Sequence, residues 1–338
     1  MTKYSNHNAV LRASVTTRVA VGHALVDDCT RDRVCTSIIS HAKREGRPAY
    51  VVTANAQHIV LLNKDHELRE IYENADLVLA DGVSLLIAAH LSGRVIHERI
   101  AGVDIFRQLC GLAAENGLRV FLLGGRPGSA ERAAAALKAD FANFHCITCC
   151  PPQGFEQTMA GLNAVADAVT SYRPHLLFVA LGAPKQERWI YDHGLRLSVP
   201  VSIGVGGSFE MVGGVISRAP LWIQNIGCEW LYRLCREPRR MWHRYTVGNM
   251  EFGAIVAAQW IRRALLNTCM RLASRNSFAA ELQEIAMLQS ERVASLLSIL
   301  TPVEAVRSPD ALAVNDSGLY RTGPHLSSKP TLHVKVIR

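Results

Sequence analysis

The chain has 338 residues, 49% hydrophobic and 20% charged, with a net charge of +8 and a pI near 9.1. That composition excludes a disordered protein and is enough for one large core plus an appendage. The positive balance suits an anionic partner such as a nucleotide, a phospholipid surface or nucleic acid. The nine scattered cysteines argue against a disulfide scaffold and fit reduced thiols. Met1 to Arg18 is polar and lacks the apolar segment of a secretory signal, and no apolar run reaches the roughly 18 residues of a spanning helix.

Residues 1–17 read as a flexible polar arm. From residue 18 to 227, apolar strands alternate with helical periods. Pro48–Thr53 is a predicted strand ending in Thr53-Ala54-Asn55. Gln57 to Asn74 has helical spacing, and Ala75–Ala80 is a buried strand ending in Asp81-Gly82, with a helix from Val83 to Leu91. Leu118–Leu123 leads into Gly124-Gly125-Arg126-Pro127-Gly128-Ser129 and an Ala-rich helix. Leu176–Leu181 leads into Gly182-Ala183-Pro184-Lys185-Gln186-Glu187-Arg188, and Val199–Val205 into Gly206-Gly207-Ser208-Phe209. This β-loop-α rhythm predicts an α/β fold, a Rossmann-like parallel sheet flanked by helices on both faces. Cys146 and Cys149 form a C-x-x-C with no second ligand pair at zinc-like spacing, so a structural or incidental role is expected.

The composition shifts near Cys228. Between Cys228 and Arg275 stand nine arginines against three acids, with Trp222, Trp230, Trp242 and Trp260 in or beside the zone. Residues 228–275 therefore read as a basic, membrane-proximal helical appendage. Within it, Phe252, Ile255, Val256, Trp260 and Ile261, followed by Arg262-Arg263, suit a helix of about 25 Å lying on a membrane surface. Packing on its own domain or on another subunit is the alternative. Residues 276–338 read as one more helix, Ser277 to Leu300, and then a disordered tail punctuated by Ser, Pro and Gly.

Four strand ends on one rim of a parallel sheet carry polar residues or glycines, and such rims are where open α/β sheets bind ligands. A carboxylate at Asp81 can take a proton from a bound hydroxyl, or it can cap the helix at Val83. Thr53 and Asn55 are site candidates or turn residues. Gln186 is a site candidate, whereas Glu187 reads as capping or charging a first helical turn. The loops at Gly124-Gly125 and Gly206-Gly207 allow close approach of a ligand, or are tight turns; neither is a dinucleotide or P-loop fingerprint. No D-x-D is present to hold a metal under a diphosphate. Arg236, Arg239, Arg240 and Arg244 offer guanidinium groups instead, unless they form a solvated or lipid-facing patch.

Eight ordered runs carry a resemblance to a family. They are T-A-N-A-Q-H at Thr53, A-D-L-V-L-A-D-G at Ala75, R-I-A-G-V-D at Arg99, F-L-L-G-G-R-P-G at Phe121, L-G-A-P-K-Q-E-R-W-I at Leu181, G-V-G-G-S-F-E at Gly204, R-A-P-L-W at Arg218 and E-W-L-Y-R-L-C-R-E-P-R-R at Glu229. Together, from about Val19 to Tyr245, they resemble the WecG/TagA/CpsF glycosyltransferases (glycosyltransferase family 26).

The resemblance implies inverting transfer of a sugar from a UDP-sugar to a polyprenyl-diphosphate-linked sugar at the inner membrane face, in cell-surface polysaccharide biosynthesis. It implies no metal or other cofactor and no nucleic acid, and leaves room for a homo-oligomer. Asp81 then looks like the general base. Thr53, Asn55, Arg99 and Gln186 look like pocket residues, and Arg236, Arg239 and Arg244 like appendage arginines near the diphosphate, with Arg240 an alternative in that register. Ala54 stands where the family often has Pro, and Val83-Ser84 follows Asp81-Gly82 where a second Gly is common, which bears on donor choice. The competing expectations are a membrane-associated nucleotide-binding protein without activity and a nicotinamide oxidoreductase.

Overall fold

The computed structural model describes residues 11, 17–44, 46–225, 229–236, 238, 247–273, 289 and 333–337. A seven-stranded sheet organises them. Its strands are β3 (Ala49–Ala54), β4 (Leu77–Ala80), β5 (Arg119–Gly124), β6 (His145–Cys150), β7 (Leu176–Ala180), β8 (Val201–Gly204) and β9 (His333–Ile337), in the order β4-β3-β8-β7-β5-β6-β9. The first six are parallel, and β9 pairs antiparallel with β6 at the edge. The five strands expected from apolar runs are all present. β6 and β9 are additions, and β9 corrects the expectation of a structureless tail through 338.

Parallel strands need crossovers, and the crossovers cover both faces. On one face lie α1 (Arg31–Ala42), α5 (Gly102–Glu115), α6 (Ser129–Asp140) and α9 (Ser208–Val212), packed on Val51, Leu79, Leu122, Phe178 and Ile203. On the other lie α2 (Ala56–Lys64), α3 (His66–Asn74), α4 (Val83–Leu91), α7 (Met159–Tyr172) and α8 (Lys185–Asp192), packed on Tyr50, Val52, Phe121, Leu177 and Val179. The period-2 alternation of each strand supplies both cores. It also disposes of the C-x-x-C: Cys146 belongs to the first core and Cys149 to the second, so the pair cannot grip one ion, and burial pushes the Cys149 thiol up to about 12.

A hairpin of β1 (Thr17–Val21) and β2 (Ala24–Asp28) precedes the sheet, so Thr17, expected in the arm, opens a strand, and Leu11, also expected there, is buried in the first core. Its turn needs Gly22, whose φ is +57°. Asp27, buried and paired with Arg18 at 2.9 Å, accepts the Val78 N–H at 2.7 Å and so fastens the hairpin beside β4.

Chain past 228 does not leave the compact body at once. One compact unit comprises Met1–Trp260 with Leu332–Arg338, and a second Ile261–Thr331. The helices α10 (Leu221–Asn225), α11 (Glu229–Arg236) and α12 (Val247–Ala273) follow the sheet. α12 has 27 residues, about 40 Å. Its beginning belongs to the protein's own core. Phe252 and Val256 are buried in the second cluster with Ile255 against it, Gln259 accepts the Gly22 N–H at 2.9 Å, and Glu251 pairs with Lys64 at 2.8 Å. This face is therefore not available to a membrane, a correction to the expected surface helix, although Trp260 stays exposed. Among the described residues no helix is long and apolar enough to cross a membrane. Of the expected Ser277–Leu300 helix only residue 289 is among the described residues.

Phe252→Ala is expected to cost about 3 kcal/mol in urea unfolding, the penalty of a core truncation. A loss below about 0.5 kcal/mol, usual for a surface position, would place that helix face off the core.

Candidate functional site

The carboxyl ends of β3 and β8 lie side by side, and the chain leaves β3 toward one face of the sheet and β8 toward the other. Such a divergence opens a crevice between neighbouring strand ends. Thr53 and Gly204 stand at its floor, with the buried Thr53 hydroxyl donating to the Gly204 carbonyl at 2.8 Å. That bond commits the Thr53 proton to the sheet and leaves its oxygen lone pairs.

Asp81 projects just past β4, where its own N–H donates to the Ala54 carbonyl at 2.8 Å. It does not cap α4, whose N-cap is Gly82 with no side-chain bond. Instead its Oδ1 accepts the N–H of Gly102, the first residue of α5, at 2.9 Å. One carboxylate oxygen is thus fixed at a helix N-terminus and the other is left for chemistry. Burial raises the Asp81 pKa. The Gly102 bond and the charges of Arg99 and Arg233 work against that rise, and Glu229 works with it. The outcome is a more basic carboxylate than an exposed aspartate, with two guanidinium groups beside it.

Arg99 arrives because Ile100 N–H donates to the Ala80 carbonyl at 2.8 Å, holding its segment against the end of β4. Its guanidinium pairs with Glu229 at 3.2 Å. The other Glu229 oxygen faces Arg218 at 3.8 Å, and Arg218 donates to Asp104 with Nη2–Oδ2 at 2.7 Å and a second bond alongside. Burial pushes the Asp104 carboxyl up, but Arg218, with Arg31 and Arg99, holds it below its ordinary value. Glu229 opens α11, and one helical turn later Arg233 lies on the same side, its Nη2 3.5 Å from where a Cβ on Gly207 would stand. The ion pairs thus seat α11 on the rim, and α11 presents Arg233 to the glycine loop.

The glycine loops are shaped by backbone. Gly124 and Gly125 have φ of +90° and +82°, and a Cβ on Gly124 would stand 2.8 Å from Leu181 Cδ2. Two N–H groups of this loop are already used: Gly125 donates to the Ala180 carbonyl at 2.8 Å and Arg126 to Glu210 Oε1 at 3.0 Å. Gly206, φ +52°, donates to Gln186 Oε1 at 3.1 Å. Gln186 is buried, and its Nε2 donates to Glu187 Oε1 at 2.7 Å, so both ends of the amide are engaged within the protein. Asn55 caps α2, accepting the Gln57 N–H at 3.0 Å, and lies against Gly82.

Thr53, Asn55, Asp81, Arg99, Gln186, Gly206 and Gly207 therefore meet at one crevice, with Gly124 and Gly125 on the neighbouring strand end. Arg236 is exposed, its guanidinium 5.9 Å from the Tyr232 ring centroid, while Arg239, Arg240 and Arg244 lie outside the described residues. The sequence reading passed over Arg218, Glu229 and Arg233 as site residues, although each stands in a motif or charge run already noted. The i to i+4 spacing of Glu229 and Arg233 is the signal that puts both on one helix face.

The doubly wound α/β sheet thus carries, at its switch-point crevice, a carboxylate of raised pKa beside two arginines, at the place where such sheets bind ligands. The chain belongs to the glycosyl transferase WecG/TagA/CpsF family, whose sequence model matches residues 19–265. It is a glycosyltransferase. Among its relatives is the N-acetylglucosaminyldiphosphoundecaprenol N-acetyl-beta-D-mannosaminyltransferase of Bacillus subtilis, 30% identical over 196 residues, or 58% of this chain and 74% of the relative. Proteins of the same name from Bacillus spizizenii (30% identical, covering 63% and 82%) and Staphylococcus aureus (29%, covering 57% and 74%) are similar to it.

Arg218→Ala removes the partner of Asp104 and one neighbour of Glu229. It is expected to lower stability by about 1–3 kcal/mol, the cost of orphaning charged hydrogen-bond partners, and to speed proteolysis between α9 and α11. Unchanged cleavage there would mean that the ion pairs do not seat α11.

Proposed function

We propose that this protein transfers a sugar from a UDP-sugar to a polyprenyl-diphosphate-linked N-acetylglucosamine, with inversion and without a metal. The observation that carries the reading is Asp81, a half-buried carboxylate with a raised pKa, flanked by Arg99 and Arg233 at a strand-end crevice. N-acetylmannosamine is the donor sugar that the relatives' names favour, and those names also specify a β-linkage, the product of inverting an α-linked donor.

Asp81 takes the proton of the acceptor hydroxyl as that oxygen attacks the anomeric carbon. The bond from that carbon to the UDP oxygen breaks, and its electron pair leaves with UDP. General-base help of this kind contributes about 10²–10⁴ in rate. Arg233 and Arg99 stabilise the charge that develops on the diphosphate, an effect strongest where water is excluded. The exposed side chains of Leu221, Trp222, Trp230 and Leu231 on α10 and α11 supply an apolar face beside arginines, suited to the headgroup boundary at which a lipid-linked acceptor is presented. We place the protein peripherally on the inner face of the cell membrane on that basis.

Asp81→Asn is expected to lower UDP release from UDP-N-acetylmannosamine by about 10²–10⁴-fold, with wild-type release unaffected by chelator. In the wild type, kcat/KM should fall on acidification at a pH above the ordinary carboxylate range, because a raised pKa means the base is lost earlier. The stability sign is opposite to that of a salt-bridged acid. The folded state holds the Asp81 proton more tightly than the unfolded chain, so ionising this group costs stability as pH rises through its folded pKa. The Asn variant should therefore melt no lower than wild type at pH 7. UDP binding without release for any donor would instead favour a nucleotide-binding protein without activity. Trp222→Glu is expected to weaken sedimentation with vesicles containing anionic phospholipid severalfold, and equal sedimentation would remove α10 from the membrane contact.

A further inference from the structure

Beneath the crevice lies a carboxylate for which sugar transfer gives no direct use. Glu187 follows Gln186 at the start of α8, and its side chain is fully buried rather than charging an exposed helical turn. A buried carboxylate is costly unless donors surround it, and here they come from two directions. Gln186 Nε2 donates to Oε1 at 2.7 Å, and His58 Nε2 stands 3.3 Å from the same oxygen.

The two partners continue outward. His58 Nδ1 accepts the backbone N–H of Asn55 at 3.2 Å, which places the ring proton on Nε2 and aims it at Glu187. Because Glu187 accepts from the Gln186 amide nitrogen, the Gln186 oxygen is turned to Gly206, whose N–H it accepts at 3.1 Å. A Cβ on Gly204 would stand 2.8 Å from that amide nitrogen, so the site is cut to fit this side chain. One carboxylate thereby joins the loops that follow β3, β7 and β8. The second oxygen, Oε2, has no partner among the described residues, nor do the buried hydroxyls of Tyr50 and Tyr72. Both phenols are pushed well above their usual range, by burial first and then by the Glu187 charge.

We propose that Glu187 is a positioning residue that braces the transfer site, fixing the Gly206-Gly207 loop through Gln186 and Asn55 through His58. Its relevance to turnover rests on the sugar-transfer reading above; the brace itself does not.

Glu187→Gln keeps the shape and replaces a charge-assisted acceptor with a neutral one, which weakens such bonds by about tenfold in equilibrium terms. Amide hydrogen exchange at Gly206 should accelerate about tenfold in this variant, while Val179 and Ile203 in the neighbouring strands keep their protection. The accompanying loss in kcat/KM should largely vanish when the substitution is made in a Gln186→Met background, because the two residues act in series. Unchanged exchange at Gly206, or equal acceleration at Val179 and Ile203, overturns the proposal. Additive losses in the double variant overturn the path through Gln186.

Nitrogen NMR of the unmodified protein gives a test that no folding failure can spoil. At pH 8 His58 should be the Nε2–H tautomer and Gln186 should show one slowly exchanging side-chain amide proton. An Nδ1–H tautomer overturns the brace. Absence of sugar transfer in wild type would sink the functional reading alone, with Gly206 exchange still deciding the role of Glu187.

Discussion

The site depends on the alternation of charge that runs from Asp104 through Arg218 and Glu229 to Arg99 and ends beside Asp81. Each guanidinium in that chain has an acid to face, and each acid a guanidinium. Coulomb attraction between partly buried groups is several times stronger than in bulk water, so the chain can hold a short helix that buries no side chain of its own. α11 is such a helix. Without those ion pairs little apolar contact would remain to keep Arg233 at the Gly207 loop.

Asp81 illustrates the tension built into such a site. A carboxylate partly withdrawn from water is more basic and also less comfortable as an anion. The Gly102 N–H and the two arginines return part of that cost without cancelling it. Functional groups are commonly held in environments that the fold alone would not choose. The deeper carboxylate, Glu187, meets the same problem differently, by collecting donors from two loops.

Much of the sheet was legible because buried parallel strands are written as short apolar runs closed by turn residues, as at Leu77–Ala80 before Asp81 and Leu176–Ala180 before Gly182. β6 escaped because His145, Thr148 and three cysteines obscure its apolar character. β9 escaped because a strand at a sheet edge is defined by its partner more than by its own composition. The rim was legible as a set of strand ends, but the division of labour within it was not. That Gln186 is spent on Gly206, that Glu187 lies inside, and that Arg233 faces the glycine loop while Arg236 stacks on Tyr232 are all consequences of tertiary placement. Sequence spacing places residues on a helix face, and only the docking of that helix decides which face is used.

The antiparallel pairing of β9 with β6 has a consequence for association. A parallel sheet ending at β6 would present a row of open N–H and C=O groups to any passing strand, the template from which edge-to-edge aggregation grows. Residues 333–337 fill that row with the protein's own backbone. The open edge of the sheet is thereby moved outward to β9, where the exposed Lys335 is the kind of charge that deters the addition of a further strand.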